Sequence, residues 1–143
     1  MRATPTVPTL CPSACTPWMA RPAGAVYEGR WAREYGPGEA HDGHDPAGRA
    51  IQGVHAEGHN VGTVGVALMG DYRWARPTIH TLAGLVGTCA WLCHRHGLDP
   101  QAAGVIVGHR DHGPTECPGG ETYDLLPDLR QWVAHRVDVT QAA

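Results

Sequence analysis

A histidine and a cysteine that lie eight positions apart are the residues of this sequence best suited to chemistry. His109 and Cys117 stand in the glycine- and proline-containing stretch 108–119. An imidazole nitrogen and a thiolate sulfur both bind zinc, at about 2.0 to 2.3 Å, and a loop of this length can bring them to one point. A surface histidine and a small buried thiol would give the same pattern, and the spacing alone favours that structural interpretation.

The same residues are compatible with a thiol hydrolase, in which Cys117 is the nucleophile and His109 or His55 is the base. A kinase is excluded, although His-Arg-Asp at 109–111 occurs in kinase loops, because position 116 is glutamate instead of the magnesium-binding asparagine. The chain also contains no lysine, which excludes phosphate-binding loops and Schiff-base enzymes. Metal chemistry and thiol chemistry therefore stay open.

Length and charge limit the number of domains and the kinds of partner. The chain has 143 residues, enough for one domain, and a net charge of -3 in which all 11 basic residues are arginine. Dispersed arginines argue against nucleic acid as a partner, and no apolar stretch is long enough to span a membrane. We therefore expect no nucleic-acid partner and no insertion into a membrane, and we also expect a monomer. Five cysteines are an odd number, so at least one thiol lies outside any disulfide framework.

The apolar pattern predicts the strands and the extent of the domain. Residues 1–24 contain five prolines without helical or strand periodicity, so we expect an unstructured lead, a domain over residues 25–137 and a tail over 138–143. Strands are predicted at 25–27, 63–69 and 105–107. Apolar residues on both faces of the second strand indicate helices on each side of the sheet.

Two helices are predicted in the second half of the chain. The first is capped by Thr78 and ends at Gly97, and its apolar stripe includes Cys89 and Cys93, which we interpret as core residues. The second covers 121–136, and Pro127 either kinks it or marks its start. The 105–107 strand leads directly into the stretch 108–111, at the strand end where α/β proteins usually bind ligands.

Several segments, in this order, resemble one known family. They are Val26–Arg30, Gly53–Asn60 leading into Gly65–Gly70, Gly108–Asp111, and Thr115–Gly119. The chain resembles the peptidoglycan recognition proteins and type-2 N-acetylmuramoyl-L-alanine amidases over about residues 26–136. The resemblance implies an α/β fold with a mixed central β-sheet flanked by helices. It also implies zinc-dependent hydrolysis of the lactyl-L-alanine amide of peptidoglycan or its muropeptides.

The resemblance assigns roles to individual residues. It implies that His109 and Cys117 are Zn2+ ligands and that Thr115 lies beside the reacting carbonyl. His55 and Asn60 are expected to face the glycan-peptide substrate. Two roles stay open. Arg30 either lines the same groove or completes its strand. Asp111 either orients the zinc-binding histidine or forms a salt bridge or loop cap.

One departure from the family bears on activity. Its members take a third zinc ligand from a histidine, and a tyrosine near the site, from strands that precede Val26. Residues 1–24 contain neither residue type. We therefore expect a member without its first strand and helix, with a mis-called start or a frameshift. His112, His41 or His44 are alternative sources of the third ligand. A peptidoglycan-binding module without catalysis is the alternative function.

Overall fold

The computed structural model describes residues 6–10, 18–20, 24–29, 33–39 and 41–141. Its strands and helices follow one another along the chain as β1 (Thr6–Leu10), β2 (Trp18–Ala20), β3 (Val26–Glu28), β4 (Thr63–Leu68), α1 (Ile79–His96), β5 (Val107–Gly108), α2 (Gly120–Tyr123) and α3 (Leu126–Gln141). A short 3-10 turn, His109–Asp111, follows β5 directly. In the described part of the chain, no helix is long and apolar enough to cross a bilayer.

The strands form one mixed sheet in the order β3-β2-β4-β1-β5. All neighbouring pairs are parallel except β2 and β3, which are antiparallel. From its second residue onward β4 is buried throughout, as its apolar residues on both faces predicted. The expected α/β fold with a mixed central sheet flanked by helices is therefore confirmed.

The start of the chain differs from the sequence expectation. Residues 6–10 and 18–20, which were expected to lie in an unstructured lead, form two inner strands, so the sheet includes residues before 25. β1 pairs with β4 on one side and with β5 on the other, and its register shifts between Thr6 and Thr9, around Pro8. Pairing on both sides outweighs the weak local strand signal of this proline-containing segment.

Helix α1 confirms its predicted ends. Thr78 accepts a hydrogen bond from the Thr81 N–H at the start, and Gly97 adopts the left-handed conformation, with φ of 63°, after the end. Cys89 and Cys93 are buried in the core beside Leu85 and other apolar residues of α1, β4 and α3, which agrees with their interpretation as core residues. Burial raises the pKa of both thiols, so they stay protonated.

The closing helix differs from its expected bounds at both ends. The predicted span 121–136 is divided into α2 and α3, and Pro127 is the second residue of α3, where its missing N–H costs no helical hydrogen bond. Helix α3 continues to Gln141, so residues 138–141 of the expected tail are helical. The Arg130 guanidinium donates two hydrogen bonds to the Ile106 carbonyl, at 3.0 and 2.7 Å. This contact holds α3 against the chain that enters β5 and the turn beyond it.

Candidate functional site

The segments of His109 and Cys117 lie side by side. The Arg110 N–H donates a hydrogen bond to the Cys117 carbonyl at 3.0 Å, and the Arg110 guanidinium donates one to the Glu116 carbonyl at 2.8 Å. His109 and Cys117 are both half-buried. The structure therefore brings together the segments of the two residues that the sequence singled out as zinc ligands.

Thr115 is held by the same loop. Its hydroxyl oxygen accepts a hydrogen bond from the Cys117 N–H at 3.1 Å. That bond uses a lone pair of the oxygen and leaves the hydroxyl hydrogen able to donate. Thr115 is half-buried beside Cys117.

Asp111 caps the loop, which decides between its two possible roles. One carboxylate oxygen accepts from the Gly108 N–H at 2.8 Å, and the other accepts a short hydrogen bond from the Tyr123 hydroxyl. The Asp111 carboxylate raises the pKa of Tyr123, because the phenol donates to it. The buried Nδ1 of His109 has no hydrogen-bond partner, so Asp111 does not orient the ring through that atom.

Gly108 is required at the end of β5 by the packing of Tyr123. A Cβ at this position would lie 2.7 Å from the tyrosine ring and 3.3 Å from Pro118. The Arg110 guanidinium covers the same ring, 4.4 Å from its centroid. Tyr123 is therefore the side chain around which the 108–118 loop closes, and no sequence pattern singled it out for this role.

His55 lies buried against β4, and hydrogen bonds define its tautomer. A Cβ on Gly65 would lie 2.7 Å from Cγ of the ring, so only glycine at 65 leaves room for it. The Thr63 hydroxyl donates its single hydrogen to the His59 carbonyl at 2.6 Å, and must therefore accept from His55 Nε2–H at 2.9 Å. The proton of the neutral ring is then on Nε2. Its Nδ1 carries a lone pair, is buried and has no partner.

Asn60 positions the backbone of His55. Its side-chain oxygen accepts from the N–H groups of His55 and Ala56, at 2.8 and 2.9 Å. Asn60 also lines a cavity of about 630 Å³ together with Gly62 and Thr63. The structure thus gives this oxygen a scaffolding role, whereas the resemblance implied contact with substrate. Arg30, the remaining candidate for substrate binding, lies outside the described residues.

Four histidines cluster at the loop after β5, and two of them, His109 and His112, belong to the loop itself. The rings of His59 and His112 stack with centroids 4.4 Å apart, and His55 interacts electrostatically with both His109 and His112. Burial lowers the pKa of His109 and His112, and burial together with these two neighbours lowers the pKa of His55 to about 4. The three rings are therefore neutral at pH 7. His59 lies within a motif of the sequence, but nothing in its spacing indicated the stack.

The cluster offers unused imidazole nitrogens but no complete metal site. Buried nitrogens without a hydrogen-bond partner are found on His55, His109 and His112. Within the described ranges, however, no group of three His, Cys, Asp or Glu side chains is placed to hold a metal ion. The fit to zinc therefore rests on two donors, the neutral imidazole of His109 and the sulfur of Cys117. Of the alternative ligands, His112 joins the cluster, whereas His41 contacts Glu28 and His44 contacts His96.

A cleft of about 310 Å³ opens between Cys117 and the loop that follows β4. Gly119, with φ of 90°, lies against the backbone of Tyr72, where a Cβ would be only 2.4 Å from the carbonyl carbon. The Glu121 N–H donates to the Tyr72 carbonyl at 3.2 Å, and Arg73 lies 3.9 Å from the carboxylate of Glu116. This second wall of the site was not predicted, because it depends on contact between segments distant in sequence.

The chain is similar to known proteins in sequence and in fold. The family model described as N-acetylmuramoyl-L-alanine amidase matches residues 13–120. Peptidoglycan-recognition protein LB of Drosophila melanogaster is 33% identical over 100 residues, which are 68% of this chain and 41% of that protein. The chain spans 13% to 50% of the length of the curated relatives that it matches.

Solved structures show the same fold. The amidase LysC from Clostridium intestinale superposes with a TM-score of 0.64 at 17% identity, covering 87% of this chain and 84% of that one. Peptidoglycan recognition proteins LCa and LCx, solved as an ectodomain complex with tracheal cytotoxin, give a TM-score of 0.63 at 18% identity, covering 88% and 82%. At these identities the likeness concerns the fold alone.

The contact between Gly119 and Tyr72 makes a prediction for stability. Replacement of Gly119 by alanine forces the 70–73 loop away and strains a positive φ, so we expect the free energy of unfolding to fall by about 2 kcal/mol or more. Gly113→Ala is the control, because a Cβ there meets nothing within 4 Å. Its effect should stay within about 0.5 kcal/mol in urea denaturation. Equal effects of the two substitutions would contradict the close contact.

The low pKa of His55 makes a prediction for pH dependence. Between pH 6.5 and about 4 the unfolded chain binds a proton at this residue and the folded chain does not. Stability due to His55 should therefore decrease as the pH falls, by up to about 1.4 kcal/mol per pH unit. Urea denaturation at pH 7, 6 and 5 in the presence of a chelator measures this slope. His55→Gln should reduce it, and an unchanged slope would show that the ring is not held neutral.

Proposed function

This chain belongs to the N-acetylmuramoyl-L-alanine amidase family, whose model matches residues 13–120, and we propose that it binds peptidoglycan and hydrolyses the lactyl-L-alanine amide. The main support is the Arg110-to-Cys117 hydrogen bond, which joins the segments of His109 and Cys117 with the Thr115 hydroxyl beside them. A relative named for peptidoglycan recognition and a structural neighbour bound to tracheal cytotoxin support peptidoglycan as the ligand.

Zinc is part of the proposal, with His109 and Cys117 as its protein ligands. The neutral ring of His109 has a buried nitrogen without a partner, which suits a ligand to a cation. When bound, zinc in such a site supplies an activated water and polarises the scissile carbonyl. The source of a third ligand is not among the groups that the described residues bring together.

Two side chains of the proposed site act on the substrate directly. The Thr115 hydroxyl, whose oxygen is held by the Cys117 N–H, donates to the carbonyl oxygen as negative charge develops there. Nδ1 of His55 can only accept, because the ring proton is on Nε2, and the proposal requires that ligand entry expose this buried atom to an N–H of the stem peptide. A pKa of about 4 keeps His55 an acceptor throughout the neutral range.

A second function, peptidoglycan binding without hydrolysis, is favoured by one observation. Among the described residues the histidine cluster does not complete a three-ligand metal site, and two protein ligands hold zinc less well than three. In that case the cleft and the acceptor on His55 would retain the ligand, and no amide would be cleaved.

One experiment separates these functions. The purified chain is incubated with muropeptides and zinc, and released stem peptide is measured by mass spectrometry with and without a chelator. Chelator-sensitive release supports the amidase, whereas binding to cell walls without release supports the binding module. Release that resists the chelator but is abolished by alkylation of Cys117 would instead assign a thiol hydrolase. The absence of both binding and release would overturn both proposals.

Thr115 provides a sharper test of the amidase. Thr115→Val removes a donor that acts only as charge develops on the carbonyl, so we expect kcat to fall by about 100-fold with little change in KM. Thr115→Ser keeps the hydroxyl and should retain most of the activity. Cleavage rates on a soluble muropeptide measure both variants. A valine variant with unchanged kcat would remove Thr115 from the mechanism.

A further inference from the structure

We propose that His44 and His96 form a second binding site for a divalent transition metal of the zinc type, separate from the loop of His109 and Cys117. His44 lies on the loop between β3 and β4, and His96 is the last residue of α1. Their Nε2 atoms face each other at 3.3 Å. The proposal does not depend on the function proposed for the 109–117 loop.

The separation of the two nitrogens matches a metal-binding pair. Zinc binds imidazole nitrogens at about 2.0 to 2.1 Å, and two such nitrogens in a tetrahedral arrangement lie about 3.3 to 3.4 Å apart. The observed distance between the two Nε2 atoms falls within that range. An ion can therefore replace the hydrogen between the rings with little movement of either side chain.

The tautomer of His44 is already the one that a metal requires. Its Nδ1 makes a short hydrogen bond with the Asp42 carbonyl, which can only accept, so this nitrogen carries the proton. The Nε2 lone pair then points at His96. A hydrogen bond from the far ring nitrogen to a carbonyl is the usual support of a metal-binding histidine. When the metal binds, the Nε2 proton of His96 moves to Nδ1 of the same ring, so the ring stays neutral.

Packing holds both rings in place before any ion arrives. His44 is 1% exposed and lies edge-on to Trp91, with ring centroids 5.6 Å apart. The backbone of His44 forms an isolated antiparallel β-bridge with that of Ala50, which fixes the loop. Burial, the His44 ring and the Arg95 charge lower the pKa of His96, which favours the neutral form that metals bind.

Water can complete the coordination. His96 lines the cavity of about 630 Å³, beside Ala50 and Gln52. No third His, Cys, Asp or Glu side chain among the described residues joins the pair. We therefore expect two protein ligands, the remaining positions taken by water, and weaker binding than at a site with three protein ligands.

The site should tie the 41–52 loop to the end of α1. The described contacts between them include the pair of histidines and the Arg95 guanidinium, 4.0 Å from the Asp42 carboxylate. A metal that binds the folded chain and not the unfolded one raises the midpoint of thermal unfolding as its concentration increases. Zinc would then stabilise this part of the fold independently of catalysis.

Equilibrium dialysis with metal analysis tests the site. We expect His96→Ala to bind one equivalent of zinc fewer than the unchanged protein. His94→Ala is the matched control, because His94 is exposed in the same last turn of α1 and is not part of the pair. An equal zinc content in all three proteins would overturn the proposal, as would an equal loss in both variants.

The same measurement on Cys117→Ser separates this site from the proposed amidase site. The equivalent of zinc that depends on His96 should remain in Cys117→Ser and disappear in the double variant, which combines Cys117→Ser with His96→Ala. Zinc should also raise the thermal midpoint of Cys117→Ser by several degrees more than that of the double variant, with circular dichroism confirming that both are folded. Equal shifts would overturn the His44–His96 site and leave the amidase proposal unaffected.

Discussion

The hydrogen bond from the Arg110 N–H to the Cys117 carbonyl closes the loop on which the candidate site is built. Without it, the eight-residue separation of His109 and Cys117 would leave their positions undefined, because an open loop has many conformations. Other contacts also hold this loop closed. Asp111 holds the Gly108 N–H and the Tyr123 hydroxyl, and the guanidinium of Arg110 covers the tyrosine ring. One backbone contact therefore links the end of the sheet, the short helix α2 and the functional loop.

Local sequence signals predicted much of the fold. The errors lie in segments whose structure depends on contacts with residues distant in sequence. Helix α1 was predicted to within a residue or so because its cap, its apolar stripe and Gly97 are all local features. Strand β4 was predicted because burial on both faces leaves a continuous apolar run. Strands β1 and β2 were missed because this proline-rich part of the sequence carries little strand signal, and because both strands pair with β4, which lies far along the chain. The start of α3 stayed ambiguous in the sequence because Pro127 is compatible with a kink or a first turn.

The sequence predicted which residue types form the candidate site better than it predicted their positions in space. The loop with His109, Thr115 and Cys117 was recognisable, since its residue types and order resemble a family motif. The sequence could not show that the side-chain oxygen of Asn60 would be taken up by backbone N–H groups, because that depends on the turn at His55. Nor could it show that Gly119 would press against Tyr72 and so create the second wall of the cleft. Both outcomes depend on where loops meet after the sheet has formed.

The chain of hydrogen bonds from His55 through Thr63 to the His59 carbonyl runs in one direction only. Reversal would require the carbonyl to donate, which it cannot do. The His55 ring beside Gly65 therefore has a fixed polarity, with a lone pair on its buried Nδ1. A hydrogen-bond donor that reached this nitrogen would be stabilised, whereas a group that presents only lone pairs would be repelled. The direction of these hydrogen bonds thus sets which groups could pair with His55, independently of their size or overall charge.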